Sequence, residues 1–161
     1  MDQSQESVTV AHPSGLIEVP ADAVMRFVSP MWGFEGHREF ALLPAARHGV
    51  WWFISTGETP ATFVLADPFV AQADYGIDIN DAEREELQLE GETDALALVM
   101  LAMPATAGAP ITANFRAPLV FNVAKRLAKQ VVNRDDQFAM AQVVDLRLYP
   151  LEAALEAEPS A

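Results

Sequence analysis

Three histidines, His12, His37 and His48, and 23 carboxylates are the side chains of this sequence that could hold a metal or move a proton. The histidines fall in loop-like stretches with no ligand spacing among them. The absence of cysteine removes zinc–thiolate patterns, thiolate nucleophiles and disulfide frameworks together. No Gly-x-Ser-x-Gly, phosphate-cradling glycine loop or Ser/His pairing occurs, and Ser14 and Ser29 stand beside proline or glycine as turn residues do. The carboxylates, however, are unevenly placed. Residues 74–94 hold nine of them, Asp74, Asp78, Asp81, Glu83, Glu85, Glu86, Glu90, Glu92 and Asp94, against the single Arg84, a local charge of −8 within a total of −13. Acids at that density need no catalytic explanation. They read either as a solvated helix face or, more sharply, as an acidic surface that meets a basic protein. The chain is therefore expected to be no enzyme, to bind no metal and to use no cofactor. A sequence pI near 4.4 argues equally against direct binding of a phosphate backbone.

The elements that must position this acidic window read mostly as short strands. Val8 and Val10 alternate with polar neighbours, His12-Pro13-Ser14-Gly15 supplies a turn, and residues 16–19 return, so the chain opens with a hairpin. Met25 and Phe27 mark a further strand, followed by a loop carrying Pro30, Trp32, Gly33 and Gly36. Trp32 is expected to fold onto the core as an anchor, the alternative being an exposed contact residue. Residues 39–43 and 50–55 read as strands. In the second, Trp51 and Trp52 must point to opposite faces, so one is expected in the core and the other toward water, a loop or a partner. Residues 61–66 form an apolar strand stopped by Asp67-Pro68, whose carboxylate can fold onto nearby backbone N–H groups.

Within the acidic window, Tyr75, Ile77 and Ile79 alternate as a half-buried strand. Asn80 with Glu83 resembles a capping box that opens a helix through Leu87 before Gly91. Residues 95–103 are nine consecutive apolar residues bounded by Pro104, a pattern that favours a strand buried on both faces over a helix. From Asn114 to Asn133 an apolar strand pattern (Phe115, Leu119, Val120, Phe121), a basic bend (Lys125, Arg126, Lys129) and a second pattern (Val131, Val132) follow, with Pro118 arguing for an edge or bulge near the start. Asp135-Asp136 turns the chain and residues 143–148 are a last strand. About ten short strands and at most two short helices give a mainly β fold class, a single antiparallel barrel-like or sandwich-like domain. We expect a disordered N-terminus over residues 1–6, the domain over 7–149, and an acidic tail or short helix over 150–161. No basic region followed by an apolar run opens the chain, and the longest apolar run is too short to span a bilayer, so a soluble, cytoplasmic protein is expected.

Asn-x-x-Ala-Pro-Leu-x-x-Asn, with Asn114, Ala117, Pro118 and Asn122 in place and Gln130 eight residues on, resembles the C-terminal signature of the FliW flagellar assembly factors. The strand ending in Asp67-Pro68-Phe69, with Tyr75 beyond it, and the block Gly33-Phe34-Glu35 leading to Phe40-Ala41-Leu42-Leu43-Pro44 resemble two further family blocks in the same order. The sequence departs from the family in two places. Phe27-Val28-Ser29-Pro30-Met31-Trp32 stands where Phe-Pro-x-Gly-Ile-Pro is usual, and Ala128 stands where a turn glycine is common.

The resemblance implies a cytoplasmic adaptor that binds the carbon storage regulator, a small RNA-binding translational repressor, and also binds flagellin. Flagellin occupies the factor until secretion removes it, and the freed factor then captures the repressor. Partner contacts are accordingly expected at or around Asp67, Phe69, Tyr75, Asn114 and Asn122, with Glu83, Glu85 and Glu86 supplying the field. For the Asn residues the alternative is a purely structural role tying loop backbone. The competing class is a small-ligand-binding β-barrel without catalytic activity, which would need a hollow interior. The supply of Phe, Leu, Val and Met side chains would more readily fill a small barrel.

Overall fold

The computed structural model describes residues 6–57, 60–91, 95–133 and 138–151. The opening hairpin is present, β1 (Ser7–His12) against β2 (Gly15–Pro20). Nine further strands form one sheet: β3 (Val24–Phe27), β4 (Glu39–Pro44), β5 (Val50–Ser55), β6 (Thr62–Ala66), β7 (Ala95–Ala102), β8 (Ile111–Ala113), β9 (Leu119–Asn122), β10 (Leu127–Gln130) and β11 (Gln142–Val144). Their order is β11-β8-β7-β6-β5-β4-β3-β10-β9, and β7 also pairs with β9. That last pairing closes seven strands, β3, β4, β5, β6, β7, β9 and β10, into a barrel. Closure leaves no free edge in the ring, which suits so small a sheet.

Period-two alternation explains the closure. The side chains of Met25 and Phe27, Phe40 and Leu42, Trp51 and Phe53, Phe63 and Leu65, Leu96 and Leu98, Leu119 and Phe121 pack into one interior cluster. The register keeps these positions opposite one another, with Leu42 facing Phe53, Phe53 facing Phe63, and Leu96 facing Phe121. Phe40 stacks on Phe53 at 4.5 Å, and Phe27 and Phe121 meet Phe53 edge-on at 5.9 and 5.5 Å. Aromatic rings therefore occupy the middle of the barrel.

Ala128 lies within β10, fully buried, paired with Phe121 on one side and Phe27 on the other. A small side chain fits between two phenylalanines. The left-handed position of the β9–β10 bend falls instead on Arg126, at φ +59°. Asn122 Oδ1 steadies that bend by accepting from the Lys125 N–H at 3.3 Å.

The outer face is covered too. The β1–β2 hairpin lays Val10 and Val19 over Val24, Ala41 and Ile54. Both tryptophans of β5 are consequently half-buried, Trp51 against the barrel interior and Trp52 under the hairpin, edge-on to His12 at 5.3 Å. The outward tryptophan thus faces the strands of the hairpin and not water, a loop or a partner, because β1 and β2 fold over this face of the barrel. A second outer cluster is built from Tyr75, Phe115, Phe138 and Tyr149. The Tyr149 ring lies over Gly49, where the backbone sits at φ +86° and a Cβ would come within 3.1 Å of Cδ1, so this position needs glycine for both reasons.

Several expectations are corrected. Trp32 is 61% exposed while its neighbour Met31 is buried in the barrel cluster; adjacent residues diverge, and the slimmer Met31 takes the place inside. Residues 75–79 form no strand. Their backbone is served by a side chain instead, because Asn133 Oδ1 accepts from the Asp78 N–H at 2.9 Å and Asn133 Nδ2 donates to the Gly76 carbonyl at 3.1 Å. β10 ends at Gln130, short of Val131 and Val132. The last strand covers only Gln142–Val144 and gives way to a 3-10 turn at Leu146–Leu148, capped by Asp145. Pro118 sits just before a central strand rather than on an edge, and its carbonyl accepts from the Val131 N–H at 3.0 Å. The expectations for residues 1–5, the Asp135-Asp136 turn and the tail beyond Leu151 lie outside the described residues. No helix among the described residues is long and apolar enough to cross a membrane.

Candidate partner-docking surface

The acidic window is organised by a helix of six residues, α2 (Asp81–Glu86). Its start is a full capping box: Asn80 Oδ1 accepts from the Glu83 N–H at 2.8 Å, and Glu83 Oε1 accepts from the Asn80 N–H at 3.1 Å. Asp81 and Glu83 in the first turn also suit the helix dipole. At the other end Gln88 takes a left-handed conformation (φ +56°), and Asn122 Nδ2 donates to the Leu87 and Gln88 carbonyls at 2.9 and 3.2 Å. Leu87 and Leu89 then anchor this corner against Val120 and Val131. A helix too short to persist alone is thus tied at both ends to the barrel.

This arrangement sorts the acids. Asp81, Glu85, Glu86 and Glu90 are exposed, whereas Glu83 is half-buried and committed to its cap. Glu86 meets Lys129 Nζ at 2.9 Å and accepts from Ser29 Oγ at 3.3 Å, so part of its charge is already answered. With 41% of its side chain exposed, that pair adds at most about 1 kcal/mol. Glu92 and Asp94 lie outside the described residues.

The other predicted contact residues divide into one exposed side chain and several structural ones. Phe69, on the short helix α1 (Pro68–Ala71), is 45% exposed. Asp67 caps that helix by accepting from the Phe69 N–H at 2.9 Å. Asn114 Oδ1 accepts from the N–H groups of Arg116 and Ala117 at 3.2 and 3.0 Å. Tyr75 and Asn122 are buried, at 4% and 3% exposure. The Tyr75 hydroxyl donates to the Phe115 carbonyl at 2.6 Å and accepts from Asn133 Nδ2 at 3.0 Å. Tyr75 and Asn122 therefore shape the loops from inside. Among the described residues no group of His, Asp and Glu has the geometry to hold a metal.

Both tyrosines of the chain are held neutral by their surroundings. Burial pushes the Tyr75 hydroxyl far above its ordinary range, a rise that the Asn133 hydrogen bond only partly offsets. Burial, with the nearby Asp67 charge, pushes Tyr149 up to about 12. A folded pKa above the unfolded value of 10.0 stabilises fully below pH 10 and is lost as pH rises through the folded pKa. Stability is therefore expected to fall from about pH 10 upward. Absorbance at 295 nm should show no tyrosinate until the fold opens; ordinary titration near pH 10 in the folded protein would contradict this.

Two stretches of surface relief bear on the predicted contact residues; a further cleft of about 350 Å³, at Ala21, Arg26 and Lys125, does not. One cleft of about 380 Å³ lies beside Phe69 within the acidic window, floored by Ile77, Ile79, Leu89 and Val120, with Asp78 and Arg84 among its lining. The other relief is a pair of clefts sharing Trp32, Gln130 and Val132. One of the pair reaches Asn80 and Glu83, and the other reaches Phe34, Met100, Asn114, Ala117 and Met140. Residues of the N-terminal block and of the C-terminal signature thus meet along one groove. Sequence reasoning reads Val132 only as a strand residue, passes over Met140, which carries no local signal, and places Trp32 on the core.

Comparison with known proteins gives a consistent result. The family model described as "FliW protein" matches residues 9–144. A flagellar assembly factor FliW from Treponema denticola is 32% identical over 124 residues, covering 77% of this chain and 84% of that protein. One from Geobacillus thermodenitrificans is 36% identical over 141 residues, covering 87% and 94%. The crystal structure of a flagellar assembly factor FliW superposes with a TM-score of 0.72 at 33% identity, covering 90% of this chain and 98% of that one.

Proposed function

The chain belongs to the FliW family of flagellar assembly factors, and from that premise we propose that it acts as a cytoplasmic adaptor coupling flagellin supply to translation. In this reading it binds flagellin and, when flagellin leaves, captures the carbon storage regulator and antagonises its hold on RNA. The supporting observation is the gathering of exposed carboxylates on and beside α2, in a chain of formal charge −13. An acidic domain docked next to an RNA-binding surface raises the cost of bringing phosphates near, over a range of about 8 Å at physiological salt. The protein needs no catalytic group for this; position and charge are sufficient.

Titration calorimetry against the cognate carbon storage regulator at two salt concentrations tests the reading. Saturable binding that weakens with salt is the expected result, and no binding of either the regulator or flagellin would overturn it. The capping box and the Lys129 pair make Glu83 and Glu86 poor choices for charge reversal, so Asp81→Lys with Glu85→Lys is the cleaner variant. It should weaken antagonism of RNA binding by about three- to tenfold and flatten the salt dependence, while the reversed charge in the first turn of α2 lowers the thermal midpoint by no more than roughly a few degrees. Unaltered RNA affinity in the ternary mixture would remove the field from the mechanism.

A further inference from the structure

Next to the acidic window the surface changes sign. The Asn122 amide donates to the Leu87 and Gln88 carbonyls at the end of α2, while its Oδ1 accepts from the Lys125 N–H, where a basic corner begins. A cleft of about 350 Å³ there is lined by Arg26, Lys125 and Arg126, three of the ten cations in a chain of charge −13. All three are exposed. Glu39 is the one carboxylate in the lining and faces Arg26 across β3 and β4, yet among the described residues none of the three cations enters an ion pair. Asp22, beside Ala21, lies outside the lining. Cations gathered without a counter-charge repel one another, and an anion seated among them relieves that repulsion. Arg126 is also held in place at a cost. Its backbone is left-handed, at φ +59°, a conformation that suits Gly or Asn better than Arg. Its Nη1 donates to the Ala21 carbonyl at 3.0 Å, which fixes the guanidinium at the cleft.

We propose that this cleft docks an acidic segment of a protein partner, its carboxylates meeting Arg26, Lys125 and Arg126 and an apolar side chain among them meeting Val24 and Leu127. The proposal goes beyond the functional reading above, since it concerns a surface of the opposite charge and stands whichever protein meets the acidic window. Charge selects an anion, and three observations select its form. The backbone N–H groups of Ala21, Arg26, Lys125 and Arg126 already have acceptors, so no backbone cradle is open to a compact phosphate. The cations stand on two elements, β3 and the β9–β10 bend, which suits charges spaced along a chain. No aromatic ring lines the cleft, so a nucleobase finds nothing to stack on, and the charge of the whole protein opposes a long polyanion. A second copy could offer the acids of α2, but two bodies of charge −13 repel.

The test uses the full chain, isotope-labelled, with a capped peptide of glutamate and leucine, its lysine–leucine counterpart, inorganic phosphate and a single-stranded RNA oligomer. The acidic peptide should shift the amide signals of Arg26, Lys125 and Arg126 saturably, and the lysine peptide should leave them in place. Lys125→Glu should raise the dissociation constant about tenfold and Arg26→Gln about threefold, with unchanged circular dichroism. Arg126→Asn fits the left-handed backbone while removing the charge, so it should cost affinity with the fold kept. An acidic peptide that leaves the cleft signals unmoved, or binds Lys125→Glu as well as the natural chain, would overturn the proposal. Phosphate that saturates the same signals as tightly as the peptide would overturn it in favour of a small anion, and RNA that does so in favour of a nucleic acid. Concentration-dependent dimers in sedimentation that Lys125→Glu abolishes would overturn it in favour of a second copy.

Discussion

Replacing Asn133 by Ala is expected to cost about 3 kcal/mol of unfolding free energy, although no partner or catalytic role attaches to it. The side chain is 1% exposed, and its amide is the ladder that residues 75–79 otherwise lack. It accepts from the Asp78 N–H at 2.9 Å and donates toward the Tyr75 hydroxyl at 3.0 Å and the Gly76 carbonyl at 3.1 Å. Each such bond is worth about 0.5–1.5 kcal/mol net, and buried groups left unpaired add a desolvation penalty. Urea unfolding should therefore show a lower midpoint at similar slope. Amide exchange should quicken most over residues 76–79, where the lost bonds are, before the barrel strands respond. A loss below about 0.5 kcal/mol would mean that water replaces the amide without penalty.

This residue also marks the limit of what the amino-acid pattern conveys. Alternation of Phe40 with Leu42, Phe63 with Leu65, and Leu119 with Phe121 announces half-buried strands, and the nine apolar residues from Ala95 announce a strand covered on both faces. The capping box at Asn80 and Glu83 is equally local and appears as read. The same logic fails at Tyr75, Ile77 and Ile79, where true alternation exists but the partner is a side chain 55 residues away. Closure of the barrel by β7 on β9, and the parallel pairing of β10 with β3, are long-range choices that no local window holds. Burial tendency misplaces Trp32 because it describes a residue type, whereas in this loop it is the neighbouring Met31 that is buried. The candidate surface was legible in its charge and not in its relief. Composition shows where carboxylates gather; it does not show that Phe34, Asn114, Gln130 and Met140 come together.

Phe53→Ala is the substitution with the largest expected effect, a loss of about 3–5 kcal/mol. Phe53 is fully buried, stacked on Phe40 and met edge-on by Phe27 and Phe121, so truncation removes aromatic contacts on several sides and leaves a void in a closed ring of strands that relaxes poorly. The same variant decides between an adaptor and a small-ligand barrel. If the interior is a packed core, the natural protein should take up no small apolar ligand. Phe53→Ala should instead gain weak affinity for benzene or indole and recover part of its lost stability when either is added. Thermal melts with and without ligand give both results at once. A natural protein that already gains stability from such ligands would place a binding cavity where four phenylalanines now meet, and the adaptor reading would lose its structural footing.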